Sequence, residues 1–156
     1  MCQKGKRLLY LIGSSVLFLC LAQSGASAKQ IALIVNAKND VQDLPEADLV
    51  KIFKCVTQKW ADGTPIKLVL RDPSSPEMEM VLWRVYKVPP DEVRKFVAAH
   101  RDSIMVVDSN DAMISAVQSN PGAIGLIDVF LINKQIKVVK IDGKLPVEYG
   151  YILRGN

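Results

Sequence analysis

Residues 68–83 read LVLRDPSSPEMEMVLW. The opening run belongs to an apolar strand over residues 66–70. From about residue 76 to residue 87 the spacing changes, with Met78, Val81, Leu82 and Val85 on one helical face. Trp83 and Tyr86 enlarge that apolar perimeter, so the spacing predicts a deeply packed helix. A strand that feeds a helix through a short polar loop is the building unit of an α/β domain. The loop itself holds Arg71, Asp72, Ser74 and Ser75.

Two readings of this loop stand side by side. A helix N-terminus leaves backbone N–H groups unpaired and carries partial positive charge, so it suits an oxyanion. Arg71 could add a bidentate fork, and the hydroxyls of Ser74 and Ser75 further donors. The same residues also fit a capping turn. Ser74-Ser75-Pro76-Glu77 has capping-box spacing, and shifted by one residue, Ser75 caps while Pro76 takes the first helical position. Arg71 would then pair with a neighbouring acid.

Outward from the loop, strands and helices alternate. Residues 31–35 form a continuous apolar run, the pattern of a strand buried on both faces of a sheet. Leu49, Ile52, Phe53 and Val56 repeat at helical spacing after Pro45, which suits a first turn. Residues 61–65, ADGTP, make a turn. Asp91 opens a helix carrying Val93, Phe96 and Val97, and residues 104–107 read as a short strand. Ser109 or Asn110 caps a helix that Asn120-Pro121-Gly122 ends. Residues 123–127 form a strand, with Gly125 letting another backbone come close. Residues 129–132 fit either strand or helix. Residues 136–141 alternate in part, Asp142-Gly143 is a turn, and residues 148–153 read as a closing strand. The expected fold class is α/β with a largely parallel or mixed sheet. In such sheets ligands sit beyond the carboxyl ends of strands, which is where Arg71 falls.

The first 28 residues have the order of a secretory signal: basic Lys4, Lys6 and Arg7, an apolar stretch, and Ala26-Ser27-Ala28 as the cleavage pattern. The expected organisation is a signal peptide over 1–28 and one domain over 29–156, placed in the periplasm or otherwise secreted. Of 20 basic and 16 acidic residues, three basic ones lie in the signal, which leaves 17 against 16 and a net charge of +1. That balance offers no basic stripe for nucleic acid. Cys2 and Cys20 leave with the signal, so Cys55 remains alone, without a disulfide partner, as a small buried hydrophobe. The single histidine, His100, suits a helix end, where a charged ring meets the C-terminal dipole. No constellation for a zinc site or a Cys–His nucleophile is present, and Asp108, Asp111 and Asp128 read as caps and turns. No catalytic residues, cofactor or metal are expected.

Four stretches carry a family likeness: IALIVNAKN (31–39), LPEADLVKIFKCVTQKWADGTPI (44–66), VLRDPSS (69–75) and NPGAIGLID (120–128). In that order they resemble the substrate-binding proteins of phosphate ABC transporters. They are closer still to short exported chains that carry only part of that periplasmic-binding-protein fold. The resemblance implies a single lobe of a type II periplasmic-binding-protein-like fold, a mixed sheet flanked by helices, which binds an oxyanion without chemistry. It aligns Arg71 with the arginine that starts the family's anion loop and Ser75 with its serine. Pro73 replaces the family's proton-accepting acid, a role Asp72 could take over. Pro76 removes an N–H, and Glu77 puts a negative charge where the family has a donor hydroxyl.

A carboxylate roughly 5 Å from an anion, at an effective dielectric of about 20, costs on the order of 3 kcal/mol, about a hundredfold in affinity. Glu77 must therefore face away for tight binding. The family's other lobe supplies a second glycine- and serine-rich loop that nothing in residues 29–36 replaces, so a lone lobe leaves an anion half solvated. The expected ligand is phosphate or a related oxyanion, held by Arg71, Ser74, Ser75 and loop amides, with Asp72 as proton acceptor. Expected partners are a membrane transporter or sensor and a second copy of the chain. The alternative function is a protein-interaction or scaffold module whose anion site has lapsed.

Overall fold

A computed structural model describes residues 29–155; the expected export segment, residues 1–28, lies outside the described residues. β1 (Ile31–Asn36) is buried at every position, as a continuous apolar run requires. It sits inside the sheet with β5 (Ala123–Asp128) on one side and β6 (Ile136–Ile141) on the other, both antiparallel to it. β3 (Lys67–Arg71) extends the sheet beyond β5 in parallel, and β4 (Ile104–Val107) lies parallel outside β3. The two-residue β2 (Asp43–Leu44) edges β6. The order is β2-β6-β1-β5-β3-β4, a mixed sheet of the expected class.

Alternation along the strands divides the core into two layers. Ile31, Leu33, Val35, Leu68 and Leu70 face a large cluster. It is roofed by Leu49 and Phe53 of α1 (Glu46–Phe53) and by Val93 of α3 (Pro90–Ala99). Ala32, Ile34, Val69 and Ile127 face the other way, under Met113 and Val117 of α4 (Asn110–Ser119). Gly125 makes that second layer possible. A Cβ there would stand 2.6 Å from the Met113 sulfur, so the glycine is the close-approach residue its place in a strand suggests. The hydroxyl of Ser109 accepts from the Ala112 amide at 3.2 Å, so this residue is the α4 cap. At the other end of α4, buried Asn36 donates through Nδ2 to the Val117 and Gln118 carbonyls at 2.9 and 2.8 Å.

Several expectations need correction. α1 stops at Phe53 because Cys55 takes a left-handed conformation (φ 54°), which leaves Val56 72% exposed rather than on the buried face. Residues 148–153 do not form a closing strand. The segment contributes Tyr151 and Leu153 to the core from turns and touches the start of β1 only through the Ile31 amide, which donates to the Leu153 carbonyl at 3.1 Å, and an isolated Gln30–Arg154 bridge. Residues 129–132 resolve as a 3₁₀ turn, Val129–Leu131.

The helix expected over residues 76–87 departs most. Turns occupy residues 73–78, a single α-turn α2 (Glu79–Val81) follows, and Leu82–Tyr86 is a π-helix. In it the Lys87 amide donates to the Leu82 carbonyl at 2.6 Å, one residue wider than α-spacing. Leu82, Val85 and Tyr86 are buried in it, whereas Trp83, on the side opposite Met78, Val81, Leu82 and Val85, is 77% exposed, so this stretch is less deeply packed than expected.

Candidate anion-binding site

β3, β4 and β5 run parallel, so Arg71, Val107 and Asp128 end their strands at one edge of the domain. Arg71 closes β3, and its guanidinium turns inward. Nε and Nη1 are buried and meet no acceptor, and the buried Ser75 Oγ nearby in sequence is likewise unpartnered. Among the described residues no carboxylate forms an ion pair with Arg71; those pairs join Lys51–Asp48, Arg94–Asp91 and Lys95–Glu92. Buried donors without partners are rare in folded chains and cost about 1–3 kcal/mol each.

The loop between them is held by Asp72. Its Oδ1 accepts from the Ser74 amide at 2.8 Å and from the Ser74 hydroxyl at 2.7 Å, while its carbonyl accepts from the Ser75 amide at 2.8 Å. These bonds, the Ser74 hydroxyl foremost, then the Ser74 amide, with Arg94 adding its charge, hold the Asp72 carboxyl below its ordinary range. Arg94 of α3 also donates to the Ser74 hydroxyl and to Asp91. Sequence reasoning passed over Arg94, and its only local signal was the i, i+3 spacing from Asp91. Neither capping arrangement forms. The short helix starts at Glu79 without a side-chain cap, because Ser74 is already engaged by Asp72 and Arg94 and Ser75 Oγ makes no bond.

Thus the structure separates the four predicted residues into two pairs. Arg71 and Ser75 present free donors, whereas Asp72 and Ser74 bind each other. The loop amides contribute little: Pro73 and Pro76 have none, and those of Ser74, Ser75 and Met78 are already used. Glu77 is the acidic neighbour of the free pair. Its own backbone amide, then Lys29, Arg71 and the Ser75 hydroxyl, hold its carboxyl below the ordinary value. Ser75 Oγ lies close enough to bias that carboxylate yet off the geometry of a hydrogen bond. Glu77 therefore neither caps a helix nor closes a salt bridge with Arg71, and it does not face away from the pair as tight anion binding would require.

Elsewhere the titratable residues serve the scaffold. His100 ends α3 with Nδ1 2.8 Å from the Phe96 carbonyl, the bond of a ring that donates to a helix end. Cys55 packs half-buried against the larger core layer, which pushes its thiol pKa up. Among the described residues no group of three or more His, Cys, Asp or Glu side chains is placed to hold a metal. None of their helices is long and apolar enough to cross a membrane.

The same architecture occurs in solved structures. An ABC-type phosphate transport receptor from Vibrio cholerae matches with a TM-score of 0.69 and 23% identity, over 83% of this chain and 55% of that one. PstS from Borrelia burgdorferi matches at 0.65 and 19%, over 83% and 56%. A phosphate-binding protein from Stenotrophomonas maltophilia matches at 0.62 and 18%, over 77% and 41%. The chain thus spans about half the length of the receptors it matches. No curated protein sequence matches it. The family described as PBP superfamily domain matches residues 26–153, and the chain belongs to that family.

Proposed function

We propose that this chain is an exported, non-enzymatic oxyanion-binding lobe that serves phosphate transport or sensing. The observation that carries the reading is the set of buried, unpartnered donors on Arg71 and Ser75 at the carboxyl edge of the sheet. An oxyanion is the ligand that would satisfy a guanidinium edge and a hydroxyl together. Ser74 and Asp72 act one step back, as the brace that sets the loop, with Asp72 available to a ligand proton only if that brace opens. The matched structures include a phosphate transport receptor and a phosphate-binding protein, which supports phosphate over other oxyanions. A chain half their length leaves one side of an anion in water, so a second lobe from another chain would raise affinity.

Thermal unfolding with and without millimolar phosphate tests this. A ligand at about a hundred times its Kd stabilises by about 2.7 kcal/mol, and Arg71→Ala should remove the shift. No shift in the parent chain would sink the proposal. It would favour an interaction module instead, a reading supported by the consumed loop amides and the exposed Trp83.

A further inference from the structure

The sheet ends in β2 on one side and β4 on the other, and the two ends are built differently. β2 is only two residues long and carries exposed Asp43, which blunts that side against further pairing. β4 reads Ile104-Met105-Val106-Val107, with no proline and no charge within it. Met105 and Val106 are 41% and 44% exposed, one on each face of the strand. The Leu68 amide donates to the Ser103 carbonyl at 2.9 Å. By the alternation of a parallel ladder, the peptide groups of Ile104 and Val106 therefore point away from β3. The Ile104 amide turns back to the His100 carbonyl at 2.8 Å. That leaves the Ile104 carbonyl and both backbone groups of Val106 facing outward.

A recess of about 410 Å³ lies beside this strand, against α3, with Val97, Ala98, Ile104 and Val106 in its lining. Arg101, which precedes β4, also lines it; it is exposed and forms no ion pair among the described residues. Arg94 is held by Asp91 and Ser74, and Asp72 by Ser74. Just past β4, exposed Asp108 continues the face of Ile104 and Val106. The strand thus has a cation before it and an anion after it, a pattern that complements its own antiparallel copy. With Val106 opposite Val106 of a second copy, the two residues exchange both backbone hydrogen bonds. Asp108 of each copy then falls opposite Ile104 of the other, beside Arg101, while Asp102 meets uncharged Asn110. We infer that β4 is a self-docking edge, through which two copies of this chain join their sheets across a dyad. Antiparallel pairing points the two Arg71 loops in opposite directions, so the inference stands apart from the oxyanion reading.

Sedimentation of the chain, expressed whole and purified as the host processes it, tests this with Arg101→Asp, Asp108→Arg and an equimolar mixture of the two variants. The parent chain should dimerise, more weakly as salt screens the end charges. Each variant alone should dissociate about tenfold more readily, because the dyad repeats the like-charge contact. The mixture should regain the dimer, since each variant offers the charge the other lacks. Hydrogen exchange at the Val106 amide should slow about tenfold or more in the dimer. Val106→Lys, which sets two ammonium groups at the dyad, replaces a charge variant that fails to fold and should abolish the dimer. A parent chain that stays monomeric overturns the inference. So does a dimer indifferent to these substitutions, with Val106 exchanging as fast as in the monomer, which puts the contact on another face. A mixture of folded variants as dissociated as its components overturns it too. Protection of Val106 only on adding a different exported protein gives the edge to that protein and overturns self-docking.

Discussion

The indole Nε1 of Trp60 donates to the carbonyl of Gly122 at 3.0 Å, joining two segments that lie 62 residues apart. The same carbonyl accepts from the Lys67 amide at 3.1 Å, at the start of β3. The tryptophan just before the ADGTP turn and the glycine of the NPG turn, both part of the family likeness, thus meet directly. Together they fix the entry of the strand that carries Arg71.

Gly122 is present for space. A Cβ on it would stand 1.9 Å from the Pro65 carbonyl oxygen, a backbone atom that cannot step aside. Gly122→Ala should destabilise by about 1–3 kcal/mol or more. Trp60→Phe keeps the ring and loses one hydrogen bond, about 1 kcal/mol. Urea unfolding midpoints of the two variants should fall in that order.

Ser75 should trade stability for binding. Its buried hydroxyl has no partner, so Ser75→Ala in phosphate-free buffer should leave stability unchanged or raise it by up to about 1 kcal/mol. The same variant should lose most of the thermal shift that phosphate gives the parent. A variant both less stable and fully phosphate-responsive would show the hydroxyl to be structural.

Asn36 is the buried polar residue on which α4 ends. Its side chain serves the Val117 and Gln118 carbonyls and accepts from the Lys38 amide at 2.9 Å. Asn36→Ala should cost about 2–3 kcal/mol by leaving those groups unpaired. Asn36→Asp should cost more, since a carboxylate would face two carbonyl oxygens. Equilibrium denaturation of the two variants checks the ranking.

Acid and alkali should attack different parts of the molecule. Glu77 and Asp72 have depressed carboxyl pKa values. Their stabilisation is complete above the unfolded values of 4.5 and 3.8 and is lost as pH falls through the lower folded values. Glu77→Gln should flatten part of the decline in unfolding midpoint below about pH 4.5. Burial raises the phenols of Tyr86 and Tyr151, the latter to about 12. Their contribution holds below the unfolded value of 10.0 and disappears as pH rises toward the folded one. Absorbance at the tyrosinate band should show these two rings titrating only as the chain unfolds.

Local pattern made much of this scaffold legible. The run at β1 announced burial on both faces, the Ser109 cap and the NPG stop bounded α4, and Gly125 marked close packing. The π-helix escaped notice because the apolar spacing between 78 and 85 fits an α-helix equally well. The expected strand over 148–153 is replaced by turns, with the Leu153 carbonyl accepting from the Ile31 amide and one isolated Gln30–Arg154 bridge as its ties to the sheet. At the site, the residue types of Arg71 and Ser75 were readable. The diversion of Ser74 was not, since it depends on Arg94, 20 residues further on.

The first strand of this domain is stitched between two of its last. Ile31 pairs with Asp128 and Leu33 with Val139, so β1 waits for nearly the entire chain before its ladders can form. Such long closures slow folding and leave an apolar segment searching for company in the interval. Until residue 141 has arrived, residues 31–36 have at most β5 beside them, and loss of β6 would leave one long side of β1 open as a new apolar edge.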